Sequence, residues 1–200
     1  MAKYNDDRSF TDFVHNNLAV PIIYKKLNWE VSEIDADELE KLDINNGIDY
    51  VLEDKNGKSI FVQERFRDEF YKSYNDATLR FRRDFNPDPK RVESEFYKIK
   101  ADFLVYGITN GKKFIDKRHT LTDFIKWVAL DLKFIQSKYQ IGKIKIVTPT
   151  NQIKCWIEGD ILCCPENFNP DGSSSFLPFD INLMKQLWGS TPILDQKGFL

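Results

Sequence analysis

The chain has 200 residues, a formal net charge of −2 and 42% hydrophobic side chains, enough to bury one substantial core without requiring a second domain. A balance so near neutrality excludes a protein that coats nucleic acid with its whole surface, so a nucleic-acid partner must be met by a local patch. No apolar run approaches the roughly 20 residues that span a bilayer, and the first residues, Met-Ala-Lys-Tyr-Asn-Asp-Asp-Arg, are polar, which predicts a soluble, cytoplasmic protein without membrane contact.

Ser9, with Asp12 three residues on, reads as a helix N-cap, and Phe10, Phe13, Val14 and Leu18 follow at helical spacing. Pro21 is expected to end or kink that helix, with Ile22, Ile23 and Leu27 continuing its apolar face. His15 has no partner near it in sequence and reads as a satisfied surface or core-edge histidine, not a catalytic base. Trp29 to Ile34 reads as a first strand. The acidic run Asp35 to Asp43 fits a short amphipathic turn or a solvated connector.

Ile48 to Leu52 and Ser59 to Phe66 are β-branched and aromatic runs separated by Asp54-Lys55-Asn56-Gly57, which predicts a β-hairpin. Antiparallel pairing brings Asp49, at the start of its first strand, to the same end as Gln63, Glu64 and Arg65. A carboxylate, a second oxygen ligand and a cation gathered there suit a hard divalent metal beside a phosphate. Asp76 to Phe85 alternates apolar and charged side chains as a half-exposed strand does, until Asn86-Pro87-Asp88-Pro89 breaks it. Lys55 to Lys100 carries twelve Lys or Arg against eight Asp or Glu, interleaved with Phe66, Phe70, Tyr71, Tyr74, Phe81 and Phe85. Charge and stacking surface together are the composition of a nucleic-acid patch.

Lys90 to Lys100 has helical periodicity, and the continuous apolar run Ala101 to Ile108 marks a strand buried on both faces. After a turn at Asn110-Gly111, a short strand is expected at Lys113 to Ile115, then a long helix capped by Thr122 and carrying Phe124, Trp127, Val128, Phe134 and Ile135. Strands follow at Lys143 to Thr148, Ile153 to Ile157 and Gly159 to Cys164, then a loop from Asn167 to Ser175 and a last helix near Ile181 to Trp188. Cys155, Cys163 and Cys164 lack paired metal-ligand spacing and read as small buried hydrophobes, not a zinc site. No phosphate-binding glycine loop is present.

The succession of helix, strand, hairpin, helix, buried strand and helix, with an acid and an amide at the hairpin's open end, resembles the restriction-endonuclease-like fold of the PD-(D/E)XK nuclease superfamily over roughly Ser9 to Thr109. The resemblance implies an α/β (α+β) protein whose αβββαβ core holds a central mixed sheet flanked by helices. Residues 9–109 would form that core, and 110–200 a helix and β-rich C-terminal extension of the same domain. Asp49 matches the family's first metal-binding aspartate, and its third-strand signature falls on Gln63-Glu64-Arg65. Gln63 and Arg65, two apart, stand at the places of the acidic ligand and the lysine, and glutamine does replace the acid in some members. A bulge that shifted the register would aim Glu64 at the metal instead, and both assignments stay open. Arginine departs from the family's lysine, because a guanidinium holds phosphate but does not give up a proton near neutrality. Asp12 is a loose substitute for the glutamate of the family's first helix.

On this resemblance the expected activity is metal-dependent hydrolysis of phosphodiester bonds in nucleic acid, with DNA the first expectation. Asp49 with Gln63 or Glu64 would bind Mg²⁺ or Mn²⁺, and Arg65 would bind the scissile phosphate. Arg80, Arg82, Arg83, Lys98 and Lys100 are the candidate backbone contacts. The alternative is an inactive domain of the same fold that binds nucleic acid or a protein. A third reading is an assembly protein, homodimeric through Trp156, Phe176, Phe179 and Trp188.

Overall fold

A computed structural model describes residues 2–82, 95–148, 150–170, 172 and 174–199, with backbone alone at 2–7 and at Glu95. The chain opens on helix α1 (Ala2–Val14), which runs without a break into a π-helical segment, His15–Tyr24, and the closing turn α2 (Lys25–Leu27). Pro21 lies inside the π segment and does not end it. Proline's missing N–H and its clash with the carbonyl four residues back disfavour an α-helix, and the wider π turn relieves the clash. Asn28 stops the helix with a left-handed φ of 56°. Ser9 is not a cap: it lies within α1, and its hydroxyl accepts from Arg118 Nη1 at 2.5 Å.

Strand β1 (Trp29–Val31) is shorter than expected, and the acidic run after it forms helix α3 (Ala36–Asn46), whose first amides are capped by the Asp35 carboxylate. Gly47, at φ 60°, closes that helix. The hairpin forms as predicted from β2 (Tyr50–Asp54) and β3 (Ser59–Arg67), its turn held by Asp54 Oδ1, which accepts from Asn56 N at 2.8 Å and Lys58 N at 3.0 Å. Strand β4 (Asp76–Arg80), helix α4 (Glu95–Lys98) and the buried β5 (Phe103–Thr109) follow. The expected strand at 113–115 does not form: Lys113 and Phe114 are irregular, and Ile115 begins a 3-10 turn, Ile115–Thr120.

The expected long helix from Thr122 is half strand. Residues Phe124–Asp131 form β6, and only Leu132–Gln140 form helix α5, capped by Asp131. Burial on both sides accounts for this, since Trp127 and Ala129 pack in one apolar cluster and Val128 and Leu130 in the other. Thr122 is tied to Asn110, whose Nδ2 donates to its hydroxyl at 2.9 Å. The remainder is β7 (Ile144–Val147), β8 (Trp156–Glu158), β9 (Ile161–Pro165), β10 (Asn167–Phe168), β11 (Ser175–Asp180), α6 (Ile181–Trp188) and β12 (Ile193–Lys197). Strands β11 and β12 had no predicted counterpart. Cys163 and Cys164 are buried, Cys155 half-buried, and all three are free thiols.

The fold is mixed α/β around a curled central sheet in the order β1-β2-β3-β5-β6-β12, in which β3 and β5 are parallel and every other pair is antiparallel. Smaller sheets, β10-β11-β4 and β7-β9-β8, complete it. The π segment and α1 cover one face of the central sheet around Val62, Val105 and Trp127. Strands β4 and β11 and helices α5 and α6 cover the other, around Leu104, Tyr106 and Val128. Gly107 leaves room for the Phe124 ring, which would lie 2.5 Å from a Cβ built there. No helix among the described residues is long and apolar enough to cross a membrane.

Candidate functional site

The hairpin determines which side chains can meet. Tyr50 pairs with Val62 and Val51 with Phe61, without a register shift, and Asp49 N donates to Val62 O at 2.9 Å. Strand alternation then assigns Asp49, Gln63, Arg65 and Arg67 to one face of the hairpin, and Tyr50 and Glu64 to the other. The open question of register is answered by this regular pairing: no bulge turns Glu64 toward Asp49. Backbone does link them, because Asp49 Oδ2 accepts from Glu64 N at 2.6 Å. Asp49, Gln63, Glu64 and Arg65 all line a cleft of about 830 Å³, walled by Asp12 from α1, Glu40 and Asp43 from α3, and Lys112 and Lys113 beyond β5.

On the Asp49 face, Gln63 Oε1 is buried and has no hydrogen-bond partner among the described residues. A buried amide oxygen left unpaired costs about 1–3 kcal/mol, so an orphan of this kind beside a carboxylate marks a place for a donor or a cation. Oxygen donors of this type fit Mg²⁺ or Mn²⁺. Among the described residues no three His, Cys, Asp or Glu side chains gather as a metal cluster. A magnesium ion held by Asp49 and Gln63 would complete its shell with water and substrate oxygens, its usual habit.

The opposite face is closed. Glu64 has a fully buried side chain; its Oε1 accepts from the Tyr24 hydroxyl and lies 2.9 Å from His15 Nδ1, while its Oε2 has no hydrogen-bond partner among the described residues. The His15 ring stacks on Tyr50 with centroids 3.6 Å apart and planes within 6°. Burial, and after it the Glu64 charge, push the phenols of Tyr24 and Tyr50 well above the ordinary tyrosine range, so Tyr24 stays a proton donor to the carboxylate. His15 therefore has the partner that local sequence did not show. The signal was present: an acid in the apolar stripe Ile60, Val62, Glu64, Phe66 must find a donor when buried.

The predicted backbone contacts separate. Arg80 lines the cleft. Arg82 is engaged by the buried Glu166, with Nε donating to Oε1 at 2.7 Å and Nη2 to Oε2. Although burial opposes it, hydrogen bonds from Arg82, Ser175 and Thr148 hold the Glu166 carboxyl below its usual range. Lys98 Nζ donates to Ile44 O at 2.8 Å near the end of α3, and the Lys100 side chain is exposed away from the lining. Arg83 lies outside the described residues. Cations missed from sequence are Arg8, Arg67, Lys112 and Lys113, all on the cleft wall. Arg67 was readable as two positions from Arg65. Lys112 and Lys113 were not, because they reach this end only through the parallel β3-β5 pairing.

Comparison with protein-family models, with curated proteins and with solved structures finds no match to the chain.

Proposed function

We propose that the protein is a metal-dependent phosphodiester hydrolase acting on nucleic acid, DNA in the first instance, built on a restriction-endonuclease-like core. The order α1, β1, β2, β3, α4, β5 supports the αβββαβ reading, with α3 and β4 as insertions. The observation that carries the function is the orphaned Gln63 oxygen on the same hairpin face as Asp49 and Arg65, inside a cleft lined by both acids and cations.

Asp49 and Gln63 would hold Mg²⁺ or Mn²⁺, and that ion would supply Lewis acidity at a phosphoryl oxygen and a water of lowered pKa. The Glu64 N–H fixes one Asp49 oxygen and so orients the other. Arg65 keeps its charge at every ordinary pH, and its planar fork suits the phosphate being cleaved. Of the two candidate second ligands, Gln63 is favoured over Glu64, whose side chain is on the far face with its Oε1 bonded to Tyr24 and His15. A guanidinium does not give up a proton near neutrality, and Arg65 in the lysine's place favours a second reading, a domain of the same fold that binds nucleic acid without cutting it.

Incubation of supercoiled plasmid with Mg²⁺ or Mn²⁺, against an EDTA control, separates the two. The hydrolase nicks or linearises DNA only with metal, and Asp49→Ala lowers the rate by about 100- to 1,000-fold, the scale of losing one electrostatic contributor, while circular dichroism stays unchanged. A gel shift independent of metal, with plasmid and single-stranded circular DNA both left intact, overturns the hydrolase and leaves the binding domain.

A further inference from the structure

The 3-10 turn after β3, Glu69–Tyr71, and the segment after β5 meet at one end of the central sheet, because β3 and β5 run parallel. Glu69 N donates to Gly111 O at 3.0 Å and fastens the two together. From this joined rim Phe70 stands 76% exposed and Phe114 57% exposed, and Tyr71 is more than a third exposed. All three line the cleft. Phe70 and Tyr71 meet edge to face at 5.4 Å, and the Arg67 guanidinium lies 5.2 Å from the Tyr71 ring centre.

Three large rings left in water side by side on one cleft rim form an apolar patch, and such patches mark interaction sites. Lys72, Lys112, Lys113 and Lys117 flank the rings. Among the acids of these segments, Asp68 is taken up in capping Phe70 N at 3.2 Å. A protein interface depletes lysine from its centre, whereas a single-stranded nucleic acid needs both features, cations for phosphates and rings for bases. A duplex hides its bases in the stack and gives Phe70 and Phe114 nothing to stack on.

We infer that this rim is a binding platform for unpaired bases, and that the substrate reaches the Asp49 cleft as a single strand or a frayed end. The inference deepens the phosphodiester-hydrolase reading and rests on it for the kind of polymer that crosses the cleft. The bases stack on Phe70, Tyr71 and Phe114, Arg67 and the flanking lysines hold phosphates, and the chain then passes Arg65.

Fluorescence anisotropy in EDTA, where nothing is cut, measures this with a labelled oligothymidylate of about 20 nucleotides, long enough for such a platform, and with a duplex of equal length. The single strand binds tighter. Phe70→Ala and Phe114→Ala each weaken it by about 5- to 30-fold, Phe70→Trp keeps the affinity, and Lys112→Ala flattens the salt dependence. Equal or tighter duplex binding, or wild-type affinity in both alanine variants with unchanged melting, overturns the inference. So does a concentration-dependent dimer in sedimentation that Phe70→Ala dissolves, since the rings then pair two copies of the chain. Single-strand binding without any metal-dependent cleavage leaves the platform standing and removes the hydrolase. Cleavage of duplex plasmid undiminished by Phe70→Ala does the reverse.

Discussion

The two faces of one hairpin differ in what surrounds their polar groups. On the helix-covered face, Glu64 is enclosed by His15, Tyr24 and the stacked Tyr50 ring pair. On the cleft face, one position away along the same strand, Gln63 has a buried oxygen without a partner. Each side chain keeps one buried oxygen without a partner, but the Glu64 Oε1 bonds tie the hairpin to the π segment, whereas Gln63 lies on the face that carries Asp49 and Arg65. The two are joined through backbone, since the Glu64 N–H sets the Asp49 carboxylate.

Removing Glu64 is the strongest way to break that division. Glu64→Ala strands the Tyr24 hydroxyl and the His15 ring in the interior, and each buried polar group left unpaired costs about 1–3 kcal/mol. Urea unfolding should show that loss. Glu64→Gln keeps a carbonyl acceptor for Tyr24 and should recover most of it. If Glu64→Ala instead leaves stability unchanged and abolishes cleavage, Glu64 belongs to the chemistry and the division between faces is wrong.

Tyr24→Phe sharpens the same point on a smaller scale. It removes the hydroxyl donor to Glu64, a loss of about 1–3 kcal/mol. The pH dependence has a definite sign. Burial first and Glu64 second raise the Tyr24 phenol well above 10.0 in the folded chain, so the unfolded chain loses that proton first. The contribution is complete below pH ~10 and is lost as pH rises from there toward the folded value. Thermal melts above pH ~10 should decline less steeply for Tyr24→Phe than for wild type.

Gln63→Glu acts on the open face. A second carboxylate beside Asp49 should tighten Mn²⁺ binding about tenfold, equivalent to ~1.4 kcal/mol, as read by calorimetry. The same change should leave the His15, Tyr24 and Glu64 cluster alone, since its side chain lies on the other face. Unchanged metal affinity would remove Gln63 from the proposed ligand pair.

The difference between the faces also explains what could be read from sequence. The hairpin was legible because Asn56-Gly57 and Asp54 set its turn locally, and alternation then sorted Gln63 from Glu64 once a regular register was known. Strand β5 was legible from its unbroken apolar run, and α6 from its apolar spacing behind Asp180. Strand β6 was not, because Phe124, Trp127 and Val128 also fit helical spacing and only their pairing with β5 and β12 decides between the two. His15 and Glu64 lie 49 residues apart. Their meeting depends on how the π segment crosses the sheet, which no local pattern encodes.

Strain on the cleft side of the sheet extends beyond Gln63. Asp76 in β4 stands directly opposite Asp180 in β11, and burial first, then Asp180, raises its carboxyl above the ordinary value, with Arg67 and Lys126 opposing. A carboxyl whose folded pKa is raised destabilises the fold while ionised and ceases to do so as pH falls through that folded value. Asp76→Asn should therefore stabilise at neutral pH by about 0.5–1 kcal/mol, the scale of like charges facing each other across strands, and the gain should vanish in acid. Asp180 cannot be exchanged as freely, because its carboxylate caps α6 through Asn182 N and Leu183 N at 2.9 and 3.0 Å. Arg67, which eases Asp76 from the cleft face, also lies over Tyr71. If Asp76→Asn also weakens oligothymidylate binding, Asp76 is positioning Arg67 for the phosphate chain, and the unrelieved charge on this side serves the same ligand as the open Gln63 oxygen.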